Sequence, residues 1–214
     1  RGKLEYMYTI VITGGHHNSA LAVAHALLGL GHQVIWVGHR HTSRSDQSDS
    51  AEYLEVTSAG IKFYDLPAGK MVFSFSEIIK IPWGVFRASQ LLGVIQPSAV
   101  LSFGGYLGGT VSFCAWLKRI PVFLHEQTVT AGRANKLIGH IAKKIYLTWP
   151  SSAIHFPKSK TMVVGLPLRT TLSKATTKPI FTRRKPFLLV MGGKQGGHQL
   201  NQFIFRHLSD LLMN

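Results

Sequence analysis

The sequence predicts an α/β fold built around a parallel β-sheet. Apolar, strand-like runs alternate with helical patterns along the 214 residues, which is the order that parallel sheets require. Glycine-rich or polar segments follow several of these runs, and apolar residues make up 45% of the chain, enough for a substantial core. Because ligands of such sheets bind beyond the carboxyl ends of the strands, those segments are the first candidates for a functional site.

The first half of the chain is expected to form three strands and three helices. Asn18 or Ser19 suits the N-cap of the first helix, because its side-chain oxygen can accept a hydrogen bond from a first-turn N–H. Gly29 and Gly31 suit the end of the same helix. In chain order, the expected elements are a strand at 8–13, a helix at 19–29, a strand at 34–37, a helix at 51–58, a strand at 61–66 and a helix from about residue 85 to residue 92.

The second half continues the sheet and then passes into a new domain. The segment 168–186 is rich in Thr, Lys and Arg and contains two prolines, which predicts a linker. It would join an N-terminal domain at 1–167 to a second domain that begins at 187–214 and is not completed. The expected elements are a strand at 100–103, a helix ending near residue 116, a strand at 122–124, a helix at 133–142, strands at 145–148, 162–164 and 187–191, and a helix at 199–212.

The chain is strongly basic, with 24 Lys and Arg against 9 Asp and Glu and a formal net charge of +15. This imbalance favours an anionic partner: a phosphorylated substrate, an anionic membrane surface or nucleic acid. The basic residues are scattered rather than striped, and no signature of a nucleic-acid-binding module occurs, so no nucleic-acid partner is expected.

Cys114 is the single cysteine and lies in an apolar stretch, so we expect a buried structural thiol and no disulfide within the chain. No apolar run reaches the roughly 18 residues of a membrane span. The chain begins with Arg1 rather than Met, and its last helical pattern runs on to Asn214. We therefore expect a fragment of a longer protein.

One strand-to-helix corner, Gly14-Gly15-His16, predicts anion binding together with proton transfer. Two glycines allow a tight turn and a close approach of the backbone to a ligand. The positive end of the following helix favours an anion, and an imidazole exchanges a proton near neutral pH. Similar corners occur at 104–109, 125–132 and 192–198, and four of them indicate a ligand-binding protein rather than a purely structural one.

Three familiar classes of site are disfavoured. The G-x-G-x-x-G fingerprint of nicotinamide binding is absent at the first corner, and the second strand ends at Gly38-His39 without an acid for a ribose hydroxyl. No G-x-x-x-x-G-K-[ST] phosphate loop occurs. The 11 histidines include His39-Arg40-His41, but no H-E-x-x-H or cysteine–histidine spacing accompanies them, so no metal site is expected.

Five segments point together to one family. In chain order they are Thr13-Gly14-Gly15-His16, Ser102-Phe103-Gly104-Gly105-Tyr106, His125-Glu126-Gln127, Gly165-Leu166-Pro167-Leu168-Arg169 and Gly192-Gly193-Lys194-Gln195-Gly196. In this order and spacing they resemble the MurG family of bacterial N-acetylglucosamine transferases, glycosyltransferase family 28. Each segment is weak evidence alone, but the five together make a specific resemblance that covers nearly the whole chain.

The resemblance implies a GT-B fold, in which two Rossmann-like domains face each other across a cleft. It implies inverting transfer of N-acetylglucosamine from UDP-N-acetylglucosamine to the 4-hydroxyl of undecaprenyl-linked muramyl-pentapeptide, which converts lipid I to lipid II in peptidoglycan synthesis. No metal or cofactor is implied, since backbone N–H groups and a helix dipole suit the departing diphosphate. His16 is then the candidate general base, and the alternative is a histidine that only hydrogen-bonds its own loop.

The resemblance also implies a set of substrate-binding residues. Tyr106 would shape the acceptor pocket or serve ordinary packing, and Arg169 would meet the diphosphate or remain a solvated linker residue. Glu126 would bind a sugar, act as a second base or clamp its loop. Thr128 and Lys194 stand where the family has asparagine and serine. The full set is Thr13, Gly14, Gly15, Gly104, Gly105, Tyr106, Glu126, Gln127, Thr128, Arg169, Lys194, Gln195 and Gly196.

A lipid-linked acceptor implies peripheral docking on the cytoplasmic face of the bacterial cell membrane. The segment 78–87 mixes bulky apolar, aromatic and basic residues, as suits an anionic headgroup layer. The expected membrane patch consists of Ile79, Trp83, Phe86 and Trp116. The alternative is a core-facing helix with snorkelling lysines.

Two other functions remain open at this stage. One is a GT-B transferase that acts on a different lipid-linked acceptor. The other is a non-catalytic membrane-binding subunit of a split transferase, whose donor half is a separate chain.

Overall fold

The computed structural model describes residues 6–41, 48–66, 80–169, 188–192 and 197–213. The chain divides into two compact units, 1–175 and 176–214. The predicted domain limits at 167 and 187 and the linker between them stay predictions.

The described part of the first unit contains one sheet of seven parallel strands. Its order is β3-β2-β1-β4-β5-β6-β7, so the direction of strand addition reverses between β1 and β4. Such a switch point opens a crevice for ligands at the carboxyl ends of the strands. The strands are β1 (Thr9–Thr13), β2 (Gln33–Gly38), β3 (Lys62–Asp65), β4 (Ala99–Ser102), β5 (Val122–Glu126), β6 (Lys144–Leu147) and β7 (Thr161–Val163). The predicted α/β class is confirmed.

Helices cover both faces of this sheet, because alternate side chains of each strand point to opposite sides. The described helices are α1 (His17–Gly29), α2 (Ala51–Ser58), α3 (Lys80–Ile95), α4 (Gly105–Leu117) and α5 (Arg133–Ile141), with short 3₁₀ turns at Pro150–His155 and Lys158–Lys160. One hydrophobic cluster underlies α3, α4 and α5 and includes Val11, Val37, Leu92, Val111 and Ile138. The other underlies α1 and α2 and includes Ile12, Leu21, Trp36, Val56 and Phe103.

Cys114 lies in the first cluster and is 1% exposed. Its thiol donates to the Val85 carbonyl at 3.3 Å, and burial raises the pKa of the thiol above its usual value. The prediction of a buried structural thiol is confirmed. The same contact joins α4 to α3.

The N-cap prediction for α1 is wrong. The helix begins at His17, so His16 occupies the cap position, without a side-chain cap hydrogen bond. Asn18 and Ser19 direct their polar atoms instead to partners far along the chain. Asn18 Oδ1 accepts from Arg169 at 2.8 Å, and Ser19 Oγ donates to Gln127 at 3.0 Å. The predicted end of α1 is confirmed, with Gly31 at φ +84°.

Other element limits also differ from expectation. The helix predicted from residue 85 begins at Lys80, and the strand predicted to end at 124 continues to Glu126. In the second unit, the predicted helix at 199–212 is divided into α6 (His198–Arg206) and α7 (Leu208–Met213). Residues 188–191 form no strand, and residue 187, the first of the strand predicted there, lies outside the described residues.

Candidate active site

The first and second glycine corners are in contact at the switch point between β1 and β4. Gly15 N donates to Gly104 O at 3.2 Å, and Phe103 N donates to Thr13 O at 2.7 Å. Gly14 has φ +129°, and a Cβ built on it would lie 2.7 Å from the Phe103 carbonyl carbon. Only glycine permits this approach, which explains the residue type at the corner.

The third corner is joined to the second by a buried clamp. Glu126 ends β5 and is 1% exposed. One carboxylate oxygen accepts from the N–H and the hydroxyl of Thr128, at 2.8 and 2.6 Å, and the other accepts from Asn135 Nδ2 at 2.6 Å. Asn135 in turn lies against Gly104, where a Cβ would be 2.4 Å from its Oδ1. Of the three roles considered for Glu126, these contacts favour the one in which it clamps its loop.

His16 lies half-buried at the start of α1, beside an open cleft of about 350 Å³. Burial lowers the pKa of His16 below its usual 6.5, and the negative charge of Glu126 opposes this shift. The imidazole is therefore neutral at neutral pH and can accept a proton. The cleft is lined by Gly15, His16, His17, Asn18, Ser19, Gln127 and Leu166.

His125 is a second imidazole at this edge, and it is buried. It belongs to one of the five segments but was not among the predicted site residues. Its Nε2 lies 3.2 Å from Gly165 O, and since a carbonyl only accepts, Nε2 carries the proton. Its buried Nδ1 has no hydrogen-bond partner in the part of the chain that the structure describes. Burial lowers the pKa of His125 below 6.5, against the Gly165 hydrogen bond and the Glu126 charge, so this ring is also neutral at neutral pH.

Tyr106 and Arg169 both make contacts that the sequence did not predict. The Tyr106 hydroxyl is hydrogen-bonded to Nε2 of His39, a residue that sequence reasoning had considered only as a metal ligand. The sequence did contain a signal for His39: it directly follows a strand, at the same edge of the sheet as the glycine corners. Arg169 Nη2 donates to Glu55 Oε2 at 2.5 Å as well as to Asn18, so it lies beside the cleft but paired with an acid.

The aromatic residues of the expected membrane patch are exposed. Trp83, Phe86 and Trp116 expose 54%, 50% and 48% of their surface. No helix among the described residues is long and apolar enough to cross a membrane. The other predicted site residues, Ile79, Lys194, Gln195 and Gly196, lie outside the described residues.

The sequence pattern of the glycosyltransferase family 28 N-terminal domain matches residues 8–147, more than half of the chain. This chain belongs to glycosyltransferase family 28. The matched range contains the first three corners, and the resemblance inferred from the five segments is confirmed.

Two relatives with the same name are similar to this chain over nearly its whole length. The UDP-N-acetylglucosamine--N-acetylmuramyl-(pentapeptide) pyrophosphoryl-undecaprenol N-acetylglucosamine transferase of Shouchella clausii (strain KSM-K16) is 32% identical over 219 residues, covering 96% of this chain and 60% of the relative. The protein of the same name from Anaeromyxobacter sp. (strain Fw109-5) is 30% identical over 207 residues, covering 93% of this chain and 53% of the relative. The chain thus spans between half and two thirds of the length of these relatives.

A solved structure has a similar fold. The crystal structure of Acinetobacter baumannii MurG aligns with a TM-score of 0.62 at 27% identity, over 75% of this chain and 46% of that one. This likeness confirms the predicted GT-B fold class.

Proposed function

We propose that this chain supplies the acceptor side of an inverting transferase. The enzyme would move N-acetylglucosamine from UDP-N-acetylglucosamine to the 4-hydroxyl of undecaprenyl-linked N-acetylmuramyl-pentapeptide, the step from lipid I to lipid II. The observation that carries this proposal is the half-buried, neutral His16 at a cleft that opens beside two interlocked glycine corners.

In this reaction His16 acts as the general base. It removes the proton of the acceptor 4-hydroxyl as the oxygen attacks the anomeric carbon of the donor sugar. The bond from that carbon to the diphosphate breaks, UDP departs, and the configuration at the carbon inverts. The lowered pKa of His16 supports this role, because it leaves the imidazole unprotonated at neutral pH.

The start of α1 suits the anionic part of a substrate. Its first turn lines the cleft and contains no acidic residue. The positive end of the helix dipole, together with backbone N–H groups at the glycine corners, favours a phosphate there without a metal. The predicted contact of Arg169 with a diphosphate requires that Arg169 exchange Glu55 for phosphate oxygens.

Docking on an anionic membrane surface is part of the proposal. Trp83 stacks on Phe86 with ring centroids 5.8 Å apart, and the Arg87 guanidinium lies 5.2 Å from the Trp83 centroid. On the neighbouring α4, Phe113 and Trp116 form a second aromatic pair at 6.0 Å. Exposed aromatic pairs with a cation suit the headgroup layer, and a core-facing helix would have buried them. We expect the enzyme to lie at the cytoplasmic face of the bacterial membrane as a peripheral protein.

The deciding experiment incubates the full-length protein with radiolabelled UDP-N-acetylglucosamine and purified lipid I. We expect labelled lipid II. Parallel reactions offer other polyprenyl-linked sugars, and product with one of those but not with lipid I would favour a different lipid-linked acceptor. A protein that transfers sugar only after a separate donor-binding chain is added would favour the split transferase.

A further inference from the structure

The alternation of side chains along β2 places His39 at the edge of the sheet that carries the glycine corners. Ile35 and Val37 belong to the hydrophobic cluster beneath α3, α4 and α5, and His39 follows at the same period of two, one residue beyond the end of the strand. Tyr106, in the first turn of α4, packs against the same cluster. The two residues therefore meet on one side of the sheet.

The two side chains form a specific pair. The Tyr106 hydroxyl is hydrogen-bonded to His39 Nε2, and the rings stack with centroids 5.3 Å apart and planes 22° apart. Because β1 lies between β2 and β4 in the sheet, this pair bridges the end of β1, where the first glycine corner lies. Gly105, the neighbour of Tyr106, lies close to this corner, since a Cβ built on it would be 3.5 Å from Gly15 N.

The backbone of His39 is held in place by its own neighbours. Its carbonyl accepts from Ser50 Oγ at 2.8 Å. Before it, Gly38 is enclosed: a Cβ there would lie 2.7 Å from the Phe63 ring and 2.8 Å from Glu52 Oε1. Glu52 is itself held by Trp36 Nε1 at 2.7 Å. The His39 ring is thus presented to Tyr106 by a rigid support.

We propose that His39 is a positioning residue for the acceptor, acting through the Tyr106 hydroxyl. The hydrogen bond and the ring stack with His39 fix the Tyr106 ring beside the first glycine corner, where its hydroxyl contacts an anionic oxygen of the diphosphate that links the acceptor sugar to its lipid. A side chain that its neighbours already hold in one orientation loses less conformational freedom when it binds a ligand. This inference rests on the proposed function.

The test compares four variants of the full-length protein: His39→Leu, His39→Gln, Tyr106→Phe and the double variant His39→Leu/Tyr106→Phe. His39→Leu and Tyr106→Phe are each expected to raise the KM for lipid I about 5–30-fold, with the KM for UDP-N-acetylglucosamine unchanged. The double variant is expected to be no worse than either single one, because both remove the same interaction. His39→Gln, whose side-chain amide can form a hydrogen bond to Tyr106 from nearly the same place, should recover most of the affinity.

His41→Leu is the matched control. This exposed histidine lies two residues further on, with Nδ1 3.1 Å from Ser48 O, and its loss should leave both KM values at the wild-type level. Additive effects in the double variant, a change in donor KM instead of acceptor KM, or a His39→Leu variant that matches His41→Leu would each overturn the proposal.

A second measurement does not depend on turnover. In nitrogen-15 NMR of the histidine side chains, the His39 ring signal should shift in Tyr106→Phe, because the substitution removes its hydrogen-bond partner. An unshifted signal overturns the pairing even in a protein that makes no lipid II. Failure of the proposed transferase reaction would appear separately, as a wild type without product.

Discussion

Asn135 Nδ2 lies 2.6 Å from Glu126 Oε2, and both side chains are buried. The contact joins the end of β5 to the first turn of α5 and presses the Asn135 amide against Gly104. Because Thr128 supplies two donors to the other oxygen, protein groups engage both oxygens of the carboxylate. The His125-Glu126-Gln127 segment therefore stabilises the second glycine corner in this chain.

Asn135→Ala should lower the free energy of unfolding by about 1–3 kcal/mol, since it leaves a buried carboxylate oxygen without its donor. Glu126→Gln should also lower the free energy of unfolding. The amide nitrogen of glutamine would face a donor of Asn135 or Thr128, and it cannot accept a hydrogen bond from that donor. Urea denaturation measures both. A Glu126→Gln protein with wild-type stability and lost turnover would instead identify Glu126 as a base.

Gly104→Ala should cost more stability than Gly31→Ala. Both glycines have positive φ, +82° and +84°, so each substitution carries backbone strain of about 1 kcal/mol or more. A Cβ on Gly31 has no atom within 4 Å, whereas a Cβ on Gly104 would lie 2.4 Å from Asn135. We expect Gly104→Ala to be worse by about 1–3 kcal/mol in urea denaturation. Equal losses would mean that the Asn135 side chain moves aside without cost.

His16→Ala should lower kcat by about 10²–10⁴-fold if His16 is the general base. Since burial lowers the pKa of His16 below 6.5, activity should be constant above that pH and fall as pH drops through the lowered value. Initial rates across pH 5–8 measure this. His25→Ala, an exposed histidine of the same helix, is the control, and near-normal turnover of His16→Ala would leave His16 with a structural role.

Combined Trp83→Ser and Phe86→Ser should weaken binding to anionic vesicles, because the two rings form the exposed stack on α3. Liposome flotation measures the bound fraction. Trp149→Ser provides a matched control, since Trp149 is 50% exposed but lies beyond the end of β6. Equal binding by all three proteins would place membrane docking elsewhere.

Glu52→Gln should remove one source of pH dependence from stability. Burial raises the pKa of Glu52 from 4.5 to about 7, against the Trp36 hydrogen bond. The folded state therefore binds this proton more tightly than the unfolded state. The contribution of this proton to the free energy of unfolding is fully present below pH 4.5 and is lost as the pH rises through about 7.

The free energy of unfolding of Glu52→Gln, relative to wild type, should increase from pH 4.5 to 7.5 by an amount on the order of 3 kcal/mol. Urea denaturation at several pH values measures the difference. Parallel curves for the two proteins would show that Glu52 ionises in the folded protein without penalty.

Local periodicity predicted most of the fold, because the spacing of apolar residues is a property of neighbouring positions. The prediction failed where groups distant in the chain compete for the same hydrogen-bonding side chains. The first helix begins at His17 since Asn18 and Ser19 find partners in Arg169 and Gln127, far along the chain. The run at 188–191 has strand-like composition, but a strand forms only where another strand pairs with it.

By itself, the sequence determined the α/β class, the family and the glycine corner that holds His16, since each rests on residue types in a short order along the chain. Only the tertiary structure decided what those residues touch. The His39–Tyr106 pair joins residues 67 positions apart, and the Arg169–Glu55 pair joins residues 114 apart. Such partners are set by the order of strands in the sheet, which brings distant segments of the chain together at one edge.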